Sequence, residues 1–276
     1  MQPIRVMVNG IPGNVAHTVA RHVIRAQDFE IVKFSLTGPE IHAAEIEIEK
    51  TSFRLIRPHE RNAAIAAIKK EYPAFISVDY THPEAVNANA DFYCRHGLPF
   101  VMGTTGGDRQ RLEETVVSSA VSAVIAPNMA KQIVGFQAMM AYAAENFPDL
   151  FRGYRLQIRE SHQKGKADTS GTAKAMVAYF RKLGLDFRVE DIRMERDPEV
   201  QGSRWGIPEE ALAGHAWHTY TLASADDTVR FEFTHNVNGR EVYALGTLDA
   251  IRFLAAKLQG DERGRVFTMM DVLKGP

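Results

Sequence analysis

Cysteine is nearly absent: Cys94 is the single one in 276 residues. One thiol excludes an internal disulfide and any multi-cysteine metal site, and it points to a reducing, cytoplasmic compartment. Long hydrophobic runs are missing too; none approaches the ~18 residues of a membrane span. Neither charge sign dominates, since the formal net charge is -1. Composition therefore gives no reason to expect nucleic acid or an anionic membrane as partner, and any anion must be held by a local site. The residues before the first strand lack a charged-then-apolar leader, so no signal peptide is expected. There is also no internal repeat and no low-complexity stretch. What remains is an ordinary globular composition, 45% hydrophobic and 24% charged, long enough for one large or two ordinary domains.

The first part alternates strand and helix patterns. Residues 4–8, 30–34, 74–78, 98–102 and 122–126 read as strands, and residues 15–26, 61–71, 83–96 and 107–119 as helices. The charged stretch after Phe34 has no regular pattern until residue 61. Such alternation predicts the α/β class with a doubly wound, parallel Rossmann-type sheet. After Pro127 the pattern changes. A long helix over about 130–145 carries Ile133, Phe136, Met140 and Ala144 at helical spacing. Residues 154–158, 218–222 and 229–233 alternate apolar with polar, which predicts a second, α+β domain with an open mixed or antiparallel sheet and one wet face. The stretch 197–214, with its Pro and Gly, reads as a long loop, and a helix follows from about 243 to 259.

Gly10 and Gly13, with Asn14 and Val15 after them, sit where the first strand hands over to the first helix. Glycines let backbone approach a pyrophosphate there, and free helix N–H groups point at the anion. Ala16 replaces the usual third glycine. Alone the pattern is equally an ordinary tight turn; the strand before and the helix after favour a dinucleotide. The end of the second strand bears Ser35 and Thr37 and no acid until Glu40. Hydroxyls without an acid lean towards NADPH, with NADH possible, unless these residues only cap a strand. Three further strand ends line the same rim: one with Thr81, one with Gly103, Thr104 and Thr105, and one with Pro127, Asn128 and Met129. The Asn128 amide offers the paired donor and acceptor that a nicotinamide carboxamide needs.

Residues 160–173 follow a strand and lead into a helix. Ser170, Gly171 and Thr172 at a helix start offer N–H groups and hydroxyls to a carboxylate. Lys166 adds a point charge, and His162 is a residue type that titrates near neutrality. The plain alternative is an N-cap at Thr169 or Ser170 among surface lysines.

The run Glu160-Ser-His-Gln-Lys-Gly-Lys-Ala-Asp-Thr-Ser-Gly-Thr-Ala173 resembles the signature of the 4-hydroxy-tetrahydrodipicolinate (dihydrodipicolinate) reductase family. It is most similar to the plant-type branch, which has Gln163 where many bacterial members have a second histidine. The likeness spans essentially the whole chain, including residues 103–108, 127–132, 208–215, 235–240 and 270–273. It implies hydride transfer from NAD(P)H to a cyclic, dicarboxylated imine-type substrate in lysine and diaminopimelate biosynthesis. On this chain it implies His162 as proton donor, Lys166 as substrate binder and aid to protonation, and Gln163 as a binding or orienting group. Ser170, Gly171 and Thr172 would hold a carboxylate, while Gly10, Gly13, Gly103, Thr105 and Asn128 would serve the dinucleotide. It also implies that the chain end returns to the nucleotide domain. The domains expected are thus residues 1–129 with about 242–276 for the dinucleotide, and 130–241 for substrate binding and oligomerisation.

His215 and His218 look like a metal pair, but on a strand i and i+3 face opposite ways, so no metal is expected. Arg240 is a candidate substrate contact, with a salt bridge equally open. Two rival functions stand: an NAD(P)-dependent oxidoreductase acting on another amino diacid, and a non-catalytic nucleotide-binding sensor. An uncovered sheet face predicts a homodimer or homotetramer.

Overall fold

The computed structural model describes residues 2–275. The chain opens with β1 (Ile4–Asn9) and α1 (Asn14–Arg25), then β2 (Phe29–Ile31), β3 (Phe34–Leu36), β4 (Glu45–Ile48), β5 (Thr51–Ile56) and α2 (Arg61–Glu71). β6 (Ile76–Asp79), α3 (Val86–Arg95), β7 (Phe100–Met102), α4 (Arg109–Val117) and β8 (Ala123–Ile125) follow. Next come α5 (Lys131–Asn146), β9 (Arg155–His162), α6 (Gly171–Lys182), β10 (Arg193–Glu195), α7 (Pro198–Trp205), β11 (His215–Ala223) and β12 (Arg230–Asn238). The chain ends with α8 (Glu241–Gln259), β13 (Val266–Phe267) and α9 (Met269–Lys274). Two compact units result: residues 1–131 with 241–276, and residues 132–240.

The first unit is built on a six-stranded parallel sheet of order β13-β8-β7-β6-β1-β2. Every residue of β6 and β7 is buried, as expected for strands covered on both faces by helices. The expected strand over 30–34 is in fact two. β2 pairs with β1, whereas β3 pairs with β5 in a separate sheet of order β3-β5-β4. The hairpin of β4 and β5 occupies the stretch that showed no regular pattern. Its turn residues Glu49 and Lys50 have φ of 51° and 63°, a conformation usually signalled by Asn-Gly. That missing signal is why the hairpin was not legible.

The second unit has a four-stranded mixed sheet of order β10-β9-β11-β12, parallel between β10 and β9 and antiparallel elsewhere. Met176 and Phe180 of α6 and Met140 of α5 pack on Ile158, Tyr220 and Leu222, covering one face. Two expectations need correction here. β9 runs to His162 rather than ending at 158, because pairing with β11 continues to Ala216 opposite His162. The stretch 197–214, expected as loop, contains α7. Asp197 caps it by accepting from Glu199 N, Pro198 opens it, and Gly206 at φ 67° closes it. Those Pro and Gly residues are helix start and stop signals, not loop composition.

Candidate active site

The dinucleotide end is built from glycines that nothing else can replace. Gly10 has φ 101°, and a Cβ there would run into the carbonyl of Tyr80. At Gly13 a Cβ would stand 2.8 Å from the Gly10 oxygen. Gly13 is also the N-cap of α1, which has no side-chain cap and no acid in its first turn. A backbone-only cradle on a helix of this length, with its first N–H groups free, fits a pyrophosphate. Gly103 plays a different part, since a Cβ would enter the Tyr80 ring.

Several rim residues turn inward, and their expected roles are corrected accordingly. Ser35 is fully buried; its hydroxyl accepts from Ile11 N at 3.3 Å. The Thr37 hydroxyl donates to Ile11 O at 2.8 Å. Both therefore shape the glycine turn and are not free to take a 2'-phosphate. Buried Asp79 organises the next two loops. It accepts from Thr81 N and Oγ1, from Thr104 Oγ1 at 2.5 Å, from Asn89 Nδ2 at 3.0 Å and from the Tyr93 hydroxyl at 2.7 Å. Thr81 and Thr104 are thus spent on this network, while Thr105 is exposed. The Asn128 oxygen accepts from Ala130 N at 2.9 Å, which leaves its NH2 group and one oxygen lone pair for a carboxamide. Met129 is buried, and its carbonyl is where a Cβ on Gly246 of α8 would land. Pro127 is exposed, and Asn14 and Val15 open α1.

The second unit gathers Glu160, His162, Ser170 and His218. The Glu160 carboxylate has no exposed surface; it accepts from Ser170 N at 3.1 Å and from Arg196 at 2.6 Å, with His218 Nε2 at 3.5 Å. Burial works against its charge, but the contacts from His218, Arg196 and Ser170 outweigh it and hold the carboxyl well below the usual range. Ser170 is the N-cap of α6: its hydroxyl accepts from Ala173 N at 3.0 Å and meets His218 Nε2 at 2.8 Å. With that hydroxyl occupied, the groups at the helix start with no intrahelical partner are the N–H groups of Gly171 and Thr172. Gly171 has open space around it. Lys166 is half-buried and Lys164 exposed; among the described residues Lys166 makes no ion pair. Gln163 is half-buried beside His162. Arg240 lays its guanidinium on Gly214, next to the His215 end of β11.

His162 differs from its expected chemistry. It is 6% exposed, and its Nδ1 has no hydrogen-bond partner. Burial, reinforced by His218, pushes it down to about 3, so it does not titrate near neutrality in the free protein. Burial also lowers His235 to about 4 and depresses His215. Each folded value lies below the unfolded one near 6.5, so between them the unfolded chain binds protons that the folded chain refuses. Stability of the second unit is therefore expected to fall steadily from pH 7 to pH 4. Thermal melts across that range check this, and a flat midpoint would contradict it. Glu160 adds to the loss only below about pH 4.5, where an unfolded carboxylate takes up its proton.

Glu160, His162 and His218 also offer ligand atoms within 4.8 Å of one another. Yet both carboxylate oxygens already accept hydrogen bonds, and a cation there would face the Arg196 guanidinium. Arg196 already supplies the counter-charge to Glu160, so the carboxylate is charge-balanced without a cation. His215 belongs elsewhere, with Nε2 2.9 Å from the Ser161 hydroxyl. Sequence reasoning missed Arg196 and Gln201 altogether, because one immediately precedes the expected loop over 197–214 and the other lies within it.

A glycine turn that fits a pyrophosphate on a parallel sheet, on one chain with a helix start whose first N–H groups are free, is what an oxidoreductase using a nicotinamide dinucleotide requires. Comparison with known proteins makes the class specific. Residues 4–129 match the family profile described as Dihydrodipicolinate reductase, N-terminus, and residues 133–273 the one described as Dihydrodipicolinate reductase, C-terminus. The chain is 46% identical over 274 residues to 4-hydroxy-tetrahydrodipicolinate reductase 2, chloroplastic, of Arabidopsis thaliana, covering 98% of this chain and 77% of that protein. It is 28% identical to the 4-hydroxy-tetrahydrodipicolinate reductase of Herminiimonas arsenicoxydans, over 99% of each chain. The dipicolinate-bound dihydrodipicolinate reductase from Paenisporosarcina sp. TG-14 shares the fold, with a TM-score of 0.66 at 18% identity over 97% of this chain and 98% of that one. The chain belongs to the dihydrodipicolinate reductase family, on its plant-type side.

Proposed function

We propose that this chain reduces 4-hydroxy-tetrahydrodipicolinate to tetrahydrodipicolinate in lysine and diaminopimelate biosynthesis. The observation that carries the reading is the α6 start, where free N–H groups of Gly171 and Thr172 stand beside a loop bearing Lys166. That is what a small dicarboxylate needs, and the reductases of Arabidopsis and Herminiimonas named above align over 98% and 99% of this chain. A reduced nicotinamide supplies the hydride. Hydride addition to a conjugated imine ring leaves negative charge that a proton must meet, and we assign its delivery to Lys166. His162, neutral in the free protein, orients the ring; an arriving dianion would raise its affinity for a proton. The test is dinucleotide oxidation with freshly made dihydrodipicolinate synthase product, alongside calorimetry with dipicolinate. Dinucleotide binding with neither turnover nor dipicolinate binding would sink the reading and favour the sensor.

For the cofactor, the inward-turned Ser35 and Thr37 remove the argument for NADPH that rested on free hydroxyls. The group left at the end of this strand is Glu40, whose carboxylate folds over Gly38. An acid there accepts from a ribose diol and repels a 2'-phosphate. We infer that NADH serves as well as NADPH and that Glu40 discriminates. Glu40→Gln is expected to raise the ratio of kcat/KM for NADPH over NADH about tenfold, roughly 1.4 kcal/mol. An unchanged ratio would remove Glu40 from this role.

Self-association is proposed through the face of the β10-β9-β11-β12 sheet opposite α6, where Trp217, Thr219 and Thr234, with Trp205 of α7, line an open groove. Thr234→Arg is expected to reduce the sedimenting mass to that of one chain; an unaltered mass would exclude this face. No helix among the described residues is long and apolar enough to cross a membrane. With one cysteine, a reducing compartment such as the cytoplasm suits the chain; the Arabidopsis relative is named as chloroplastic.

A further inference from the structure

The eight residues 163–170 that join β9 to α6 carry both Lys166 and Ser170, yet they do little to hold themselves. Within them the backbone makes one described hydrogen bond, from Lys166 N to Gln163 O at 3.0 Å. A binding constellation must be held within about 0.5 Å to be effective, so the support has to come from outside. Much of it comes from one side chain. Arg196, just past β10, donates through Nε to Lys166 O at 2.8 Å and through NH2 to Asp168 O at 3.4 Å. The same NH2 reaches Glu160 at 2.6 Å, and NH1 anchors on Glu195 O at 2.8 Å. Glu160 in turn accepts from Ser170 N. One guanidinium and one carboxylate thus tie the middle of the loop, the cap of α6 and the body of β9 together.

From this geometry we propose that Arg196 is a positioning residue for the carboxylate-binding loop, acting through the loop backbone and not on the ligand. The proposal rests on the reading above that this loop receives the dicarboxylate. A planar fork with five donors can serve three carbonyls and a carboxylate at once; a lysine ammonium cannot span them. The Arg196 side chain is 18% exposed and its partner 0%, so water does not substitute for it. Gln201 of α7, fully buried, completes the support by donating from Nε2 to His162 O at 2.8 Å and to Glu195 O at 3.2 Å. The segment from Glu195 into α7 is therefore the platform against which the end of β9 and the loop are set.

The simpler role for such a pair is stability alone, and the experiment separates the two. Arg196→Lys keeps the charge and loses the fork. The double variant Glu160→Gln/Arg196→Met removes both charges, and so avoids leaving one buried and unpaired. For each, substrate KM and kcat, dipicolinate affinity by calorimetry, dinucleotide affinity by fluorescence and the unfolding midpoint are measured on the full chain. Positioning predicts that substrate KM and dipicolinate Kd rise about 10–100-fold in Arg196→Lys. Dinucleotide Kd should stay within about twofold, as a local change to a separate unit requires. Unchanged KM and dipicolinate Kd in a folded Arg196→Lys overturn the proposal, as does an equal loss of affinity for both ligands. If Arg196→Lys does not fold, the double variant decides on the same readouts. A wild type that binds no dipicolinate sinks the functional reading and this proposal with it; wild-type binding with an unaffected variant sinks the positioning role alone.

Discussion

Lys166→Ala is expected to lower kcat/KM for the imine substrate by about 10²–10⁴-fold, the usual worth of a positioned proton donor, with dinucleotide affinity unchanged. The expectation follows from what the neighbouring groups cannot do. His162 is held down to about 3 by burial and by His218, so at neutral pH it has no ready proton in the free protein. Gln163 has none to give. Ser170 has its hydroxyl engaged between Ala173 N and His218. Lys164 is exposed, and Arg196 has its NH1, Nε and NH2 groups committed to carbonyls and to Glu160. The proposed function therefore assigns Lys166 both the attraction for a carboxylate and the proton. Lys166→Arg separates these: it keeps a charge that a guanidinium never gives up as an acid. Substrate KM should recover partly in that variant while kcat stays low. Steady-state kinetics of the two variants check the assignment, and activity of Lys166→Ala within fivefold of wild type would end it.

The largest effect on stability is expected at Asp79. Asp79→Ala should cost about 3 kcal/mol or more, since hydrogen bonds to a carboxylate are among the stronger ones and their buried donors would be left unpaired. Asn89 and Tyr93 on α3 and Thr104 after β7 all converge on this side chain. For a unit of this size the unfolding midpoint should drop by roughly 6–12 °C. Weaker dinucleotide binding should accompany it, because Tyr80, the next residue, is the one whose carbonyl closes on Gly10. Asp79→Asn, with one acceptor left, should lose less. Calorimetric melts with and without dinucleotide measure both effects. A midpoint within about 2 °C of wild type would mean that water replaces the carboxylate.

Much of this architecture was legible because it is local. The helix over 61–71 appears where periodicity placed it. Gly10 and Gly13 lie at the expected handover, and the backbone geometry requires both to be glycine. Ser170 is indeed a helix cap. The failures share a cause as well. Ser35 and Thr37 looked available for a phosphate because a sequence lists hydroxyls without their direction, and here both point at Ile11. α7 was hidden because Pro198 and Gly206 read equally as loop residues when the element between them is eight residues long.

Residue types alone establish which chemistries the loop from Glu160 to Ala173 contains: an acid, an imidazole, ammonium groups and a helix start able to take an anion. Those are properties of residue types and of spacing along a few turns of chain. How they are used depends on contacts that exist only in the folded chain. Burial among His218 and Glu160 sets the proton state of His162, and burial is a property of the packed unit. The support of the loop comes from Arg196, 36 residues beyond Glu160 in the chain, brought to it by the parallel pairing of β10 with β9. A contact made across that distance exists only once the sheet has formed, so no local pattern announces it.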